Sequence, residues 1–274
     1  MSLAQINWIR SIGLLGLCVF ACDLSWGQAT PVTSKSALTQ ESPSIELGQK
    51  AKEAWKKGEL FAARSLYLKI LKEFPDAENI QDVNKQLGNI NVAIVRSPLR
   101  SRQTEIYTIQ KGDTLGSIAQ KMGTTIELIK IRNQLESNKI TAGHRLSVWK
   151  GSFWIAIDKS DNVLALKVGD ELIKNYQVST GKNNSSPVGN FRIKYRYMHP
   201  VWFHKGDVVP ADDPKNFLGT RWLGFDLPKY GIHGTIEPEL IGQSVSSGCI
   251  RMRNEDVQEL YDLIPMGTKV IITD

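Results

Sequence analysis

The sequence predicts a multidomain protein, in which a mainly β carboxy-terminal domain follows a small βααβ unit and an α-helical hairpin region. Three observations lead there. Apolar residues recur at helical spacing through residues 45–75. A strand, two short amphipathic stretches and a second strand follow between 105 and 148. From residue 153 onward the chain consists of short alternating runs separated by Gly, Asn and Asp. With 274 residues and 41% hydrophobic content, the chain is long enough for two or three domains and too apolar for wholesale disorder.

Residues 1–29 read as a signal peptide. Arg10 supplies a positive flank, Ser11 to Ala21 an apolar run, and Gly27-Gln-Ala29 small residues for cleavage. The run is shorter than the ~20 apolar residues that cross a bilayer comfortably. A retained anchor and a lipidated Cys22 are the alternatives, and each would tether the protein to a membrane by its amino terminus. All three predict an exported protein of the periplasm or cell envelope. Processing after residue 29 would remove Cys18 and Cys22 and leave Cys249 as a lone thiol with no internal disulfide. Residues 30–44, rich in Ser, Thr, Pro and Gln, read as a solvated linker.

Residues 45–95 form the helical region. Leu47, Ala51, Ala54 and Trp55, then Leu60, Ala63, Tyr67, Ile70 and Leu71, mark two helices broken at Gly58 and ended by Pro75. Val83, Leu87, Ile90 and Val92 predict a third between 76 and 95. The stretch from Gly58 through Tyr67 to Pro75 resembles half of a tetratricopeptide unit. Such repeats bury their faces against neighbours, and only one unit is evident. A packing spacer is the favoured reading and a partner-binding hairpin the other.

Pro98 and Arg100-Ser-Arg102 mark the next boundary. Glu105 to Ile109 reads as a strand, and Asp113 or Thr114 is placed to cap a helix carrying Leu115, Ile118, Ala119 and Met122. Thr124 with Glu127 has the form of a capping box for a second helix ending near Asn133. Ile140, Gly143, Leu146 and Val148 suggest the returning strand. The run Tyr-Thr-Ile-Gln-Lys-Gly-Asp-Thr-Leu, with Asn133 later, resembles a LysM domain over residues 104–150. That resemblance implies binding of N-acetylglucosamine-containing glycan through the loops around Gly112 to Thr114 and Ile131 to Leu135.

In residues 153–274, strands are expected at Trp154 to Ile157, Val163 to Val168, Leu172 to Val178, Phe191 to Tyr197 and Val270 to Thr273. A helix capped by Asn254 is expected to run to Leu263. Met198 to Trp222, with Trp202 and His204, is the longest irregular stretch. It is a candidate lid, with a passive surface loop as the alternative.

The chemistry gathers at Cys249. Gly248 precedes it, Ser246 and Ser247 lie before that, and Arg251 and Arg253 follow. These surroundings favour a thiolate. His233, 16 residues upstream between Gly231 and Gly234, is the candidate base. The successive amides of Ser247, Gly248 and Cys249 are candidates for an oxyanion hole. A buried, inert cysteine is the competing reading.

His-Gly-Thr followed by Ser-Ser-Gly-Cys-Ile-Arg-Met resembles the signature of the L,D-transpeptidase catalytic domain. Val178-Ser-Thr-Gly181, Ser186 to Ile193 and Asn216 to Leu223 resemble that family's upstream blocks, so the likeness covers residues 153–274. One position departs, since Ser247 stands where the family commonly has His or Arg. The resemblance implies an L,D-transpeptidase-like β-sandwich. It also implies cysteine acyl transfer on peptidoglycan stem peptides, with Cys249 as nucleophile, His233 as base and the Gly234 carbonyl holding the imidazole. Arg251 is suited to a substrate carboxylate, and Ser246, Trp222 and Tyr230 are further candidates for substrate binding. An L,D-carboxypeptidase using water, and a non-catalytic wall-binding protein, are the alternatives. Four His and three Cys show no ligand spacing, so neither metal nor cofactor is expected. Residues 151–274 carry 14 basic against 15 acidic residues, which places the chain's net charge of +6 in the amino-terminal half. That surplus suits anionic surfaces. Export and the absence of stacked aromatic motifs argue against nucleic acid.

Overall fold

The computed structural model describes residues 42–204 and 206–274, so the expected leader and most of the linker lie outside the described residues. Three helices come first: α1 (Pro43–Lys56), α2 (Leu60–Glu73) and α3 (Ile80–Arg96). α1 starts two residues earlier than expected, because Pro43 suits a first helical turn, and Ser44 is buried rather than part of a solvated linker. The three pack around Ala51, Ala63, Tyr67, Ile70, Val83 and Ile90.

The βααβ unit follows as β1 (Thr104–Thr108), α4 (Leu115–Met122), α5 (Ile126–Asn133) and β2 (Arg145–Trp149), with β1 and β2 antiparallel. Its caps differ in detail from expectation. Thr114 caps α4 in a capping box with Ser117, while the Asp113 carboxylate accepts from the Tyr107 hydroxyl and the Gln110 amide, both at 2.8 Å. Thr125, not Thr124, caps α5, and Glu127 pairs with Arg196 at 3.2 Å instead of closing a box. Ile140 and Gly143 belong to the turn before β2. Asn133 explains its place in the motif: its amide accepts from Ser147 N–H at 2.7 Å and donates to Ser147 O at 2.9 Å, fixing α5 to β2.

The remaining residues are mainly β, as expected. The strands are β3 (Phe153–Asp158), β4 (Val163–Val168), β5 (Glu171–Gln177), β6 (Thr180–Gly181), β7 (Gly189–Met198), β8 (Trp202–His204), β9 (Asp207–Val209), β10 (Arg221–Phe225), β11 (Gly231–His233), β12 (Ser244–Ser246), β13 (Ile250–Arg251) and β14 (Lys269–Thr273). One helix, α6 (Asn254–Leu263), lies between the last two. Eight strands form one sheet in the order β13-β11-β10-β7-β14-β3-β4-β5. Its two ends meet: Ser179, just past β5, exchanges backbone hydrogen bonds of 2.8 and 2.9 Å with Arg251 in β13. The sheet thus bends round a core of Ile155, Leu166, Ile193, Leu223, Ile232 and Ile250, against which α6 sets Val257 and Leu260. The stretch expected to be irregular contains the β8–β9 hairpin. Its base is tied by Asn216, whose amide donates to the carbonyls of Pro200 and Pro210 at 2.9 Å.

The modules share side chains. Val92 and Val95 of α3 and Leu128 of α5 join the sheet's core. On α3, Asn91 donates to Ile173 O at 3.0 Å and Leu172 O at 3.3 Å, so α3 covers β5, a terminal strand of the sheet. Arg132 on α5 is fully buried without a carboxylate. It donates to Val95 O in the last turn of α3, to Ser147 Oγ at 2.9 Å and to Thr104 Oγ1 at 3.1 Å. Burial lowers its pKa only to about 10, so it stays charged, partnered by the negative end of α3. Arg132→Met should lower the unfolding free energy of the full chain by about 2–4 kcal/mol in urea titration, because it orphans several buried acceptors. A loss under about 0.5 kcal/mol, the size of an ordinary surface substitution, would show that the arginine does not join the modules.

Candidate active site

Cross-strand register brings the signature together. Trp222 on β10 stands directly opposite His233 on β11, and His233 is in register with Arg251 on β13. Cys249 immediately precedes β13, at the mouth of the seam where the sheet closes. Both sides of its loop are templated by one segment. β12 pairs with β6 through Ser244↔Thr180 and Ser246↔Gly181, and Arg251 bonds to Ser179. The upstream block Val178 to Gly181 is therefore the backbone against which the cysteine loop is laid.

Two buried serines clasp that loop from within. Ser186 Oγ donates to Gly248 O at 2.9 Å and accepts from Gly181 N–H at 2.8 Å. Ser246 Oγ donates to Cys249 O at 2.6 Å and accepts from Gly248 N–H at 3.0 Å. Two expectations change. Ser246, 1% exposed, spends its hydroxyl on bracing the loop. The Gly248 amide is already engaged, so of the three candidate oxyanion donors it is the one not free to serve. Gly248 has φ 127°, and a Cβ there would lie 2.7 Å from Tyr230 Cε1. Only glycine lets the Tyr230 ring pack against this turn. Ser247 is exposed beside it.

The imidazole of His233 is buried and stacked on Trp222, with centroids 5.6 Å apart and planes at 21°. Its Nδ1 lies 2.7 Å from Gly234 O. A carbonyl only accepts, so Nδ1 carries the proton and Nε2 is left as a base. Burial, assisted by the Arg251 charge, pulls the His233 pKa down to about 4 against the opposing pull of the Gly234 and Phe217 carbonyls. The ring is neutral at pH 7.

Cys249 is half-buried and its thiol donates to Lys229 O at 3.4 Å. Lys229 is a non-glycine residue at φ 72°, an uncommon conformation that aims its carbonyl into the site. Burial pushes the thiol above its ordinary value, while the Gly231 amide and the Arg251 charge pull it down less strongly. The sequence pointed to a thiolate facing an imidazole. Desolvation reverses that expectation for the free protein, whose resting pair is a thiol and a neutral ring, each bonded to a backbone carbonyl.

Arg251 donates from Nη1 to Glu237 Oε2 at 3.0 Å, and its guanidinium lies over the Phe217 ring at 5.8 Å. Phe217 in turn meets Trp202 of the β8–β9 hairpin edge-on at 5.4 Å, so the candidate lid reaches the site through Phe217 as well as through Trp222.

Sequence reading missed the role of Asn254. Expected to cap α6, it makes no such bond, and Arg253 holds the cap position. Its side chain instead accepts from Thr220 N–H at 3.1 Å and donates to Thr235 O at 2.9 Å, joining the chain before β10 to the chain after β11. Gly219 and Gly234 make room for it, since a Cβ at either would come within 2.3 and 2.1 Å of Asn254 Oδ1. The twin Gly-Thr dipeptides, 219–220 and 234–235, were the available signal. Asn254 thereby fixes the peptide whose carbonyl holds His233.

Comparisons with known proteins identify the family. The model of the L,D-transpeptidase catalytic domain matches residues 152–272, and that of the LysM domain matches residues 107–149. A putative L,D-transpeptidase, YqjB of Bacillus subtilis, is 38% identical over 130 residues, covering 45% of this chain and 73% of its own. The putative L,D-transpeptidases YkuD of Bacillus licheniformis and Bacillus subtilis are 34% and 33% identical over 177 and 174 residues. Each alignment covers 61% of this chain, and 98% and 97% of theirs. The chain belongs to the L,D-transpeptidase family, with a LysM domain amino-terminal to the catalytic domain.

Proposed function

We propose that the protein is an exported peptidoglycan L,D-transpeptidase in which Cys249 and His233 carry acyl transfer, residues 104–150 bind glycan of the wall, and residues 45–95 act as a spacer. The observation that carries this reading is a tautomer-fixed imidazole, protonated at Nδ1, one strand from a half-buried thiol. Substrate binding displaces water and lets the thiol turn from Lys229 O to Nε2. The sulfur attacks the carbonyl between the third-position diamino acid and the terminal D-alanine of a tetrapeptide stem, and its proton passes to His233. The amides of Ser247 and Cys249 face the oxyanion. The carbon–nitrogen bond breaks, His233 returns the proton to the leaving amine, and a thioester remains. An amine of a second stem then gives its proton to His233 and attacks the thioester, releasing the sulfur. Trp222 holds the imidazole plane, Tyr230 supports the Gly248 turn, and Arg251 offers charge to a donor carboxylate.

Three outcomes check this reading. Purified protein incubated with disaccharide-tetrapeptide should release D-alanine and form cross-linked dimers, both detected by mass spectrometry. Cys249→Ala should lower this at least ~1,000-fold while leaving the melting temperature within a few degrees. Turnover surviving in that variant would remove Cys249 from the mechanism, and free tripeptide without dimers would make water the acceptor. Alkylation of Cys249 in the free protein, followed on its own peptide with iodoacetamide, should climb about tenfold per pH unit from pH 6 to 8 and keep rising at pH 9. A plateau below pH 7 would contradict the thiol-and-neutral-ring resting state.

A further inference from the structure

We propose that Glu237 is a specificity-determining residue whose carboxylate occupies, in the free protein, the place on Arg251 that a carboxylate of the donor stem takes on binding. The proposal rests on the transferase reading and deepens it. Arg251 is in register with His233, so a ligand bound to its guanidinium lies beside the reacting groups. The guanidinium side chain is 16% exposed and roofed by the Phe217 ring. Glu237 engages it by a single contact, from Nη1 at 3.0 Å. Nε is buried and meets no acceptor among the described residues. Arginine presents a planar fork of donors suited to two-point capture of a carboxylate, and a one-point contact that leaves Nε orphaned uses that fork poorly.

Glu237 is also built to leave. Its side chain is 35% exposed, and it belongs to the loop after His233, where Thr235 Oγ1 accepts from its backbone N–H at 3.0 Å. Water reaches the Glu237 carboxylate more than the guanidinium, which lowers the cost of its leaving. Exchange of one carboxylate for another keeps the charge around Arg251 constant. A ligand without a carboxylate must either leave Glu237 in place or leave Arg251 unpaired. Glu237 therefore competes with an anionic ligand for Arg251 and leaves a neutral one unaffected, so it moderates the site's preference for carboxylates.

The test uses the full chain and Glu237→Gln. For a tetrapeptide stem with free carboxylates, the variant should lower KM five- to tenfold. For the same stem with its carboxylates capped as amides, KM should change less than twofold, and singly amidated stems identify which carboxylate is bound. A structural role would instead raise KM, or lower kcat, for both stems alike, and that result overturns the proposal. A second readout does not depend on turnover. The rate of Cys249 alkylation by iodoacetate, which carries a carboxylate, is divided by the rate with neutral iodoacetamide. This ratio should rise at least threefold in Glu237→Gln, and an unchanged ratio also overturns the proposal. A raised ratio in a protein that turns over no stem would sink the transferase reading and leave this one standing.

Discussion

Two backbone hydrogen bonds between Ser179 and Arg251 join the first and last strands of an eight-stranded sheet, and the placement of the candidate site depends on that closure. β13 is only two residues long, too short to be held by strand pairing with β11 alone. Bonded on its other side to Ser179, it becomes an interior strand, and the residue before it, Cys249, is fixed relative to His233. The same segment, 178–181, also pairs with β12 on the other side of the cysteine loop. A reactive loop is thus held at both ends by rigid backbone, with Ser186 and Ser246 bracing it inside.

Desolvation and charge compete within this frame. The Arg251 guanidinium lowers the proton affinity of both Cys249 and His233, yet burial acts on them in opposite senses: it raises the thiol and lowers the imidazole. The pair therefore rests uncharged. Local burial also ties His233 to stability. Its folded value of about 4 lies below the ordinary 6.5, so the unfolded chain takes up a proton first as the pH falls. Between those values His233 works against the fold, by roughly 3 kcal/mol once fully expressed at acid pH. The raised carboxyls of Asp256 and Asp262 act in the opposite direction.

The legible parts of the fold were those written in local spacing. Helical periodicity located α2, α3 and α6, and alternation located β3, β4, β5, β7 and β14. The strands that escaped reading, β6, β8 to β13, are two to five residues long and hold their shape through distant partners. Six of the seven are two or three residues long, too short to carry a period. At the site, the identities of Cys249 and His233 were legible from residue chemistry and their family resemblance. The engagement of Gly248 by Ser246, the turning of the thiol to Lys229 and the bridge made by Asn254 were not. Each depends on a side chain meeting backbone from another part of the chain. Asn254 shows the difference well: its composition suits a helix cap, and tertiary packing recruits the same amide to hold two loops.

The closure itself is open to direct measurement by native-state hydrogen exchange. If the seam holds the site, the amides of Ser179 and Arg251 should exchange only with global unfolding, in step with core amides such as those of Ile155 and Leu166. Exchange of the seam amides at the rate of exposed turns, while those core amides stay protected, would contradict the account.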